Sequence, residues 1–162
     1  MKKLFSLTLL VLLAVPARSL LAEEGLRLPA IDHAPMLQEC GACHMVFPPQ
    51  LLPTRSWEKI MGGLADHFGE DANLAEPVRA DIAAYLVAHA ADAPGTEAGD
   101  CFLHRLEPTD IPLRITETPF WARAHGEIAA DRFASADIKF RSNCIACHKT
   151  ADRGEFFEPE DN

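Results

Sequence analysis

The sequence predicts a mainly α-helical chain with extensive irregular loops, divided into two small units by a short linker. Three observations predict it. Apolar residues recur at helical spacing, and no alternating strand pattern of any length appears. A small, polar, Pro/Gly-containing stretch, Ala90 to Asp100, reads as a linker between a unit at 25–93 and another at 101–162. Each unit carries one Cys-x-x-Cys-His pentapeptide, early in the first and late in the second, so the units are not sequence repeats.

In chain order, the first 22 residues read as an export signal. Lys2 and Lys3 give a basic start, Leu4 to Val15 an apolar run, and Pro16, Ala17, Ser19 and Ala22 small residues for processing. The run is too short to span a bilayer, which takes roughly 20 residues. Cleavage is expected after Ala22, with Ser19 the second choice, leaving a periplasmic protein with no membrane span. Ser56 is expected to cap a first helix with Trp57, Ile60, Met61, Leu64 and Phe68 on one stripe, stopped by Gly69. Pro77 suits the first turn of a second helix, whose stripe is Val78, Ile82, Tyr85, Leu86 and His89. Thr118 and Pro119 start a third, with Trp121, His125 and Ile128 at i, i+4 and i+7. Ser135 is expected to cap a fourth that runs into the second pentapeptide. The proline-rich stretches Phe47 to Pro53 and Glu107 to Pro112 read as loops.

The charge balance excludes one class of partner. The chain has 15 Lys and Arg against 24 Asp and Glu, a formal net charge of −9. Removing the signal takes three basic residues and brings the net charge near −12. Such a surface repels nucleic acid and favours a partner with a basic patch.

Cys40-Gly41-Ala42-Cys43-His44 and Cys144-Ile145-Ala146-Cys147-His148 carry the chemistry. Two thiols at this spacing add to the two vinyl groups of one porphyrin, and the adjacent histidine then ligates its iron. Five Cys and seven His in 162 residues would give roughly 0.006 copies of the pattern by chance. A disulfide needs no following histidine, and a zinc site would leave both histidines unexplained. The motifs therefore imply two covalently bound haem c groups, at Cys40, Cys43, Cys144 and Cys147, with His44 and His148 on the irons. The fifth cysteine, Cys101, lies outside this scheme and reads as an ordinary free thiol.

A sixth iron ligand must come from elsewhere, and the candidates are His33, His67, His89, His104, His125 and the methionines. His67 and His89 each fall on an apolar stripe in the first unit, and periodicity does not choose between them. His125 lies on the apolar stripe of the second. Met36, Met45 and Met61 all stand in the first unit, so the second haem has no methionine candidate. Arg55, Arg114 and Arg141 are candidates for pairing with haem propionates.

Longer strings surround these motifs. They include Phe47-Pro48-Pro49-Gln50-Leu51-Leu52-Pro53, Arg55-Ser56-Trp57 and Leu64 to Ala72 in the first half. Arg114 to Pro119, His125-Gly126-Glu127-Ile128 and Ser142 to His148 follow in the second. In these the chain resembles the small diheme cytochromes c of bacterial periplasms. The resemblance implies bis-histidine ligation, with His67 completing the first haem and His125 the second. It also implies electron transfer, with redox partners such as a small soluble oxygen-binding haem protein and a b-type membrane cytochrome. The rival reading is a haem enzyme or a sensor of oxygen, nitric oxide or peroxide with one labile axial position.

Overall fold

In the computed structural model, residues 25–96 and 99–156 are described. The expected signal and its cleavage sites lie outside them. Short helices and turns joined by irregular chain make up the fold. Its elements are β1 (Leu26–Arg27), α1 (Ala34–Glu39), α2 (Thr54–Met61), α3 (Glu76–Ala88), α4 (Gly99–Leu103), α5 (Pro119–Ala124) and β2 (Glu155–Phe156). Single 3-10 turns fill the intervals, one on each pentapeptide, at Cys40–Ala42 and Cys144–Ala146. No helix of the described residues is long and apolar enough to cross a membrane.

Two helices start where local chemistry says they should. Pro77 lies in the first turn of α3, where its missing N–H costs nothing. The Thr118 hydroxyl accepts from the Trp121 N–H at 3.2 Å and caps α5. The start of α2 differs from expectation. It opens at Thr54, because the Asp92 carboxylate accepts from both the Thr54 N–H and its hydroxyl at 2.7 Å. Ser56 lies inside the helix, fully buried, with its Oγ unpartnered. The helix also stops early, at Met61, with Gly62 at its C-cap. Residues 64–66 then form a separate turn. Around Ser135 the order is reversed: it closes a 3-10 turn, Arg132–Ala134, rather than opening a helix.

Three apolar clusters form the core. The largest joins α1, α2 and α3 through Met36, Leu52, Trp57, Ile82 and Leu86. A second holds Leu28, Leu51, Ala91 and Phe102, and a third Trp121, Phe133 and Ile138. Ile115 packs against all three. The proline-rich Phe47–Pro53 segment is core rather than surface loop: Pro48, Pro49, Leu52 and Pro53 are fully buried. The Trp57 indole N–H pins it through the Pro49 carbonyl at 2.7 Å. The stretch joining the halves is packed as well, with Ala90, Ala91 and Ala93 buried and the Ala91 N–H bonded to the Leu52 carbonyl at 3.0 Å.

The first and last of the described residues meet. Leu26 and Arg27 pair antiparallel with Phe156 and Glu155, and Arg27 reaches Glu155 at 3.0 Å. Gly154 enters this ribbon at φ +80°, and its carbonyl accepts from the Leu28 N–H at 2.8 Å. A Cβ there would run into the Leu28 carbonyl oxygen. Gly154→Ala is therefore expected to cost about 1–3 kcal/mol. Denaturant unfolding would read this as a lower midpoint, with haem content unchanged.

Candidate functional site

The first pentapeptide borders a cavity of about 780 Å³. Cys40, Cys43 and His44 line one side, and His67 and Phe68 lie among the facing residues. Met36, Leu52, Trp57 and Met61 give it an apolar wall, suited to a flat, greasy cofactor. The second half contributes as well: Arg114, Ile115, Thr116 and Ser142 line the same space.

An imidazole nitrogen binds a first-row metal at about 2.0 Å and lies about 1.1 Å from its ring centre. Two imidazoles facing across one metal therefore have centres roughly 6.2 Å apart. His44 and His67 have ring centres 6.3 Å apart. His125 and His148 are 6.1 Å apart. Both spans fit one iron between the rings.

Hydrogen bonds set the tautomers. The His44 Nδ1–H donates to the Met45 carbonyl at 2.7 Å, and the His125 Nδ1–H to the Trp121 carbonyl at 3.0 Å. A carbonyl only accepts, so each neutral ring keeps its Nε2 lone pair for a metal. Burial lowers the His67 pKa, and electrostatic interaction with His44 and Arg114 lowers it further. Burial also lowers that of His125, against the hydrogen bond to Trp121, with His148 adding to the drop. Both shifts favour the neutral, ligating form. Burial pushes the Cys144 thiol up to about 11, which favours the protonated thiol.

His67 reaches its place by a route other than helical periodicity. It stands in a tight hairpin, its N–H bonded to the Glu70 carbonyl at 2.8 Å and its carbonyl accepting from Glu70 at 3.3 Å. Phe68 and Gly69 form the two-residue loop with φ of 59° and 99°. A phenylalanine at positive φ is strained by about 1–3 kcal/mol. The Arg114 guanidinium, 3.9 Å from the Phe68 ring centre, covers that ring from the other half.

The remaining candidates sort clearly. His89 is exposed at the C-terminus of α3, its Nδ1–H donates to the Tyr85 carbonyl at 2.8 Å, and it does not line the cavity. His33 uses both nitrogens: Nδ1 accepts from the Met36 N–H, and Nε2 faces Asp81 at 3.2 Å. His104 and Cys101 are exposed. Met36 and Met61 line the cavity as apolar wall, while Met45 serves through its carbonyl. Arg55 is committed to the carbonyls of Glu107 and Asp110, where it ties α2 to the Glu107–Pro112 loop. Arg114 borders the first cavity, and the Arg141 guanidinium lies 5.5 Å from the Trp121 ring centre.

The rings packed against the histidines were not singled out by sequence as site residues. His44 lies 5.0 Å from Phe47, and His125 lies 4.5 Å from Trp121 with only 13° between their planes. The i, i+4 spacing of Trp121 and His125 was the one signal that pointed to such a pair.

Comparison with known proteins identifies the family. The family model described as Dihaem cytochrome c matches residues 36–156. No curated protein matches the chain. A solved diheme cytochrome c from Rhodobacter sphaeroides is 43% identical, with a TM-score of 0.72 over 80% of this chain and 100% of its own. A diheme cytochrome c from Shewanella baltica OS155 is 35% identical, with a TM-score of 0.61 over 76% of this chain and 85% of its own.

Cysteines at both ends of the chain thus have separate cofactors to hold. Replacing Cys144 and Cys147 together with Ser should leave one haem per chain instead of two. Alkaline pyridine spectra against protein mass would read the loss, and an unchanged ratio would contradict it.

Proposed function

Because the chain belongs to the dihaem cytochrome c family and carries two covalently bound haem c groups, we propose that it passes electrons through two low-spin haems with two histidine ligands each. His44 and His67 bind the first iron, and His148 and His125 the second. The observation that carries this reading is the pair of imidazole spans, 6.3 and 6.1 Å, at the two attachment motifs. With both axial positions filled, substrate chemistry at iron would require a ligand to leave. Outer-sphere electron transfer requires nothing to leave. Histidine also lacks the thioether that raises potential in Met/His cytochromes, so both haems lie at fairly low potential.

The work is done in the periplasm, reached through the basic and apolar leader. The redox partners are haem proteins, a small soluble oxygen-binding one and a b-type membrane cytochrome. Recognition rests on charge: an acidic surface docks weakly and quickly to a basic patch.

Low-spin spectra in both redox states, with no shift on adding carbon monoxide, are expected of the whole protein. His67→Ala should turn the first haem, half of the signal, high-spin and open it to carbon monoxide. His89→Ala should leave the spectrum unchanged. A high-spin band in the unaltered protein would favour the enzyme or sensor reading instead. Electron transfer to a basic redox partner should slow as ionic strength rises, because salt screens exposed charges beyond about 8 Å at 0.15 M. Stopped-flow rates across a salt series would read the slope, and a flat one would remove the docking argument.

A further inference from the structure

The two histidine pairs differ in orientation. His44 and His67 have ring planes 23° apart, whereas His125 and His148 stand at 87°. We propose that Trp121 is a positioning residue for the second haem: it holds the His125 imidazole nearly perpendicular to that of His148 and so makes the second haem electronically distinct from the first. The inference rests on the ligand assignment above.

A hydrogen bond to Nδ1 fixes a histidine's tautomer and restricts the orientation of its ring, and a flat side chain stacked on the ring adds a second contact that holds the plane. For His125 that contact is the Trp121 indole, parallel to within 13° at 4.5 Å, and the same residue's carbonyl takes the Nδ1 proton. Trp121 is itself held. It is 9% exposed, its N–H is bonded to the Thr118 hydroxyl, and it packs on Phe133 at 5.2 Å. His148 meets Phe156 at 62° and 5.7 Å, on the strand that pairs with β1. At the first site His44 lies beside Phe47 with 28° between planes, and the His67 ring falls close to the same orientation.

The consequence follows from ligand-field geometry. An axial imidazole raises the iron dπ orbital that points across its plane. Coplanar rings act on the same orbital and split the pair, so the ferric hole occupies one direction. Perpendicular rings raise one orbital each and leave the two nearly degenerate. The first haem then gives a rhombic low-spin resonance. The second gives an anisotropic one whose lowest-field feature lies far to low field.

Electron paramagnetic resonance of the frozen ferric two-haem protein tests this. Two low-spin signals of equal spin count are expected, one rhombic and one displaced to low field. Trp121→Leu should move the low-field feature toward the rhombic position and leave the first signal in place. Trp121→Phe, which keeps a ring to stack on, should retain it. Two rhombic signals in the unaltered protein would overturn the proposal, whatever the variants do. So would a low-field feature that Trp121→Leu leaves unmoved. A high-spin signal from the second haem would instead overturn the ligand assignment, and the proposal with it.

Discussion

A porphyrin is an apolar plate that so short a chain has little core to enclose, and covalent attachment at four cysteines is the constraint from which the rest of this fold follows. Once the thioethers hold each plate, the polypeptide need only wall it in. Its own apolar groups are accordingly dispersed among three clusters rather than gathered in one. Cys40 packs against the first cluster, and Cys147 against the third. Each haem thus continues a core that the protein only begins, and much of the stabilisation that burial provides must come from cofactor surface.

With little regular structure to stiffen it, the chain depends on specific ties across long sequence separations. Asp92 caps α2, Arg55 clamps the Glu107–Pro112 loop, and the β1–β2 ribbon joins Leu26–Arg27 to Glu155–Phe156. Each tie satisfies backbone groups that an irregular segment would otherwise leave without a partner. The same economy explains the buried prolines between Phe47 and Pro53. They carry no N–H to satisfy, so a non-repetitive segment can enter the core cheaply.

What the sequence disclosed, and what it hid, follows from the range of the interactions involved. The start of α5 was legible because its cap is local: the Thr118 hydroxyl and the Trp121 N–H are three residues apart. The start of α2 was not, because its cap comes from Asp92, 38 residues away. The helix expected to carry His67 reads straight across Gly62 and Gly63, and the real helix ends there. A hairpin, unrelated to periodicity, brings His67 to the cavity that the first pentapeptide borders. Small residues suit a linker, yet Ala90, Ala91 and Gly99 are also small because they pack tightly: all three are buried, and a Cβ on Gly99 would collide with the Ala91 carbonyl. Composition cannot separate the two causes. The pentapeptides were legible in full, because their chemistry is local in sequence and needs no tertiary context.

The contact between the halves bears most directly on electron passage. Arg114, Ile115 and Thr116 belong to the second half, yet they line the first cavity. Ser142 lines it as well, two residues before Cys144, where the second haem is attached. The two attachment sites therefore share a wall rather than facing each other across solvent. Ile115 stands in that wall and touches all three clusters, beside the polar Arg114, Thr116 and Ser142. In a dihaem cytochrome c, a wall common to both attachment sites would shorten the path an electron takes from one to the other.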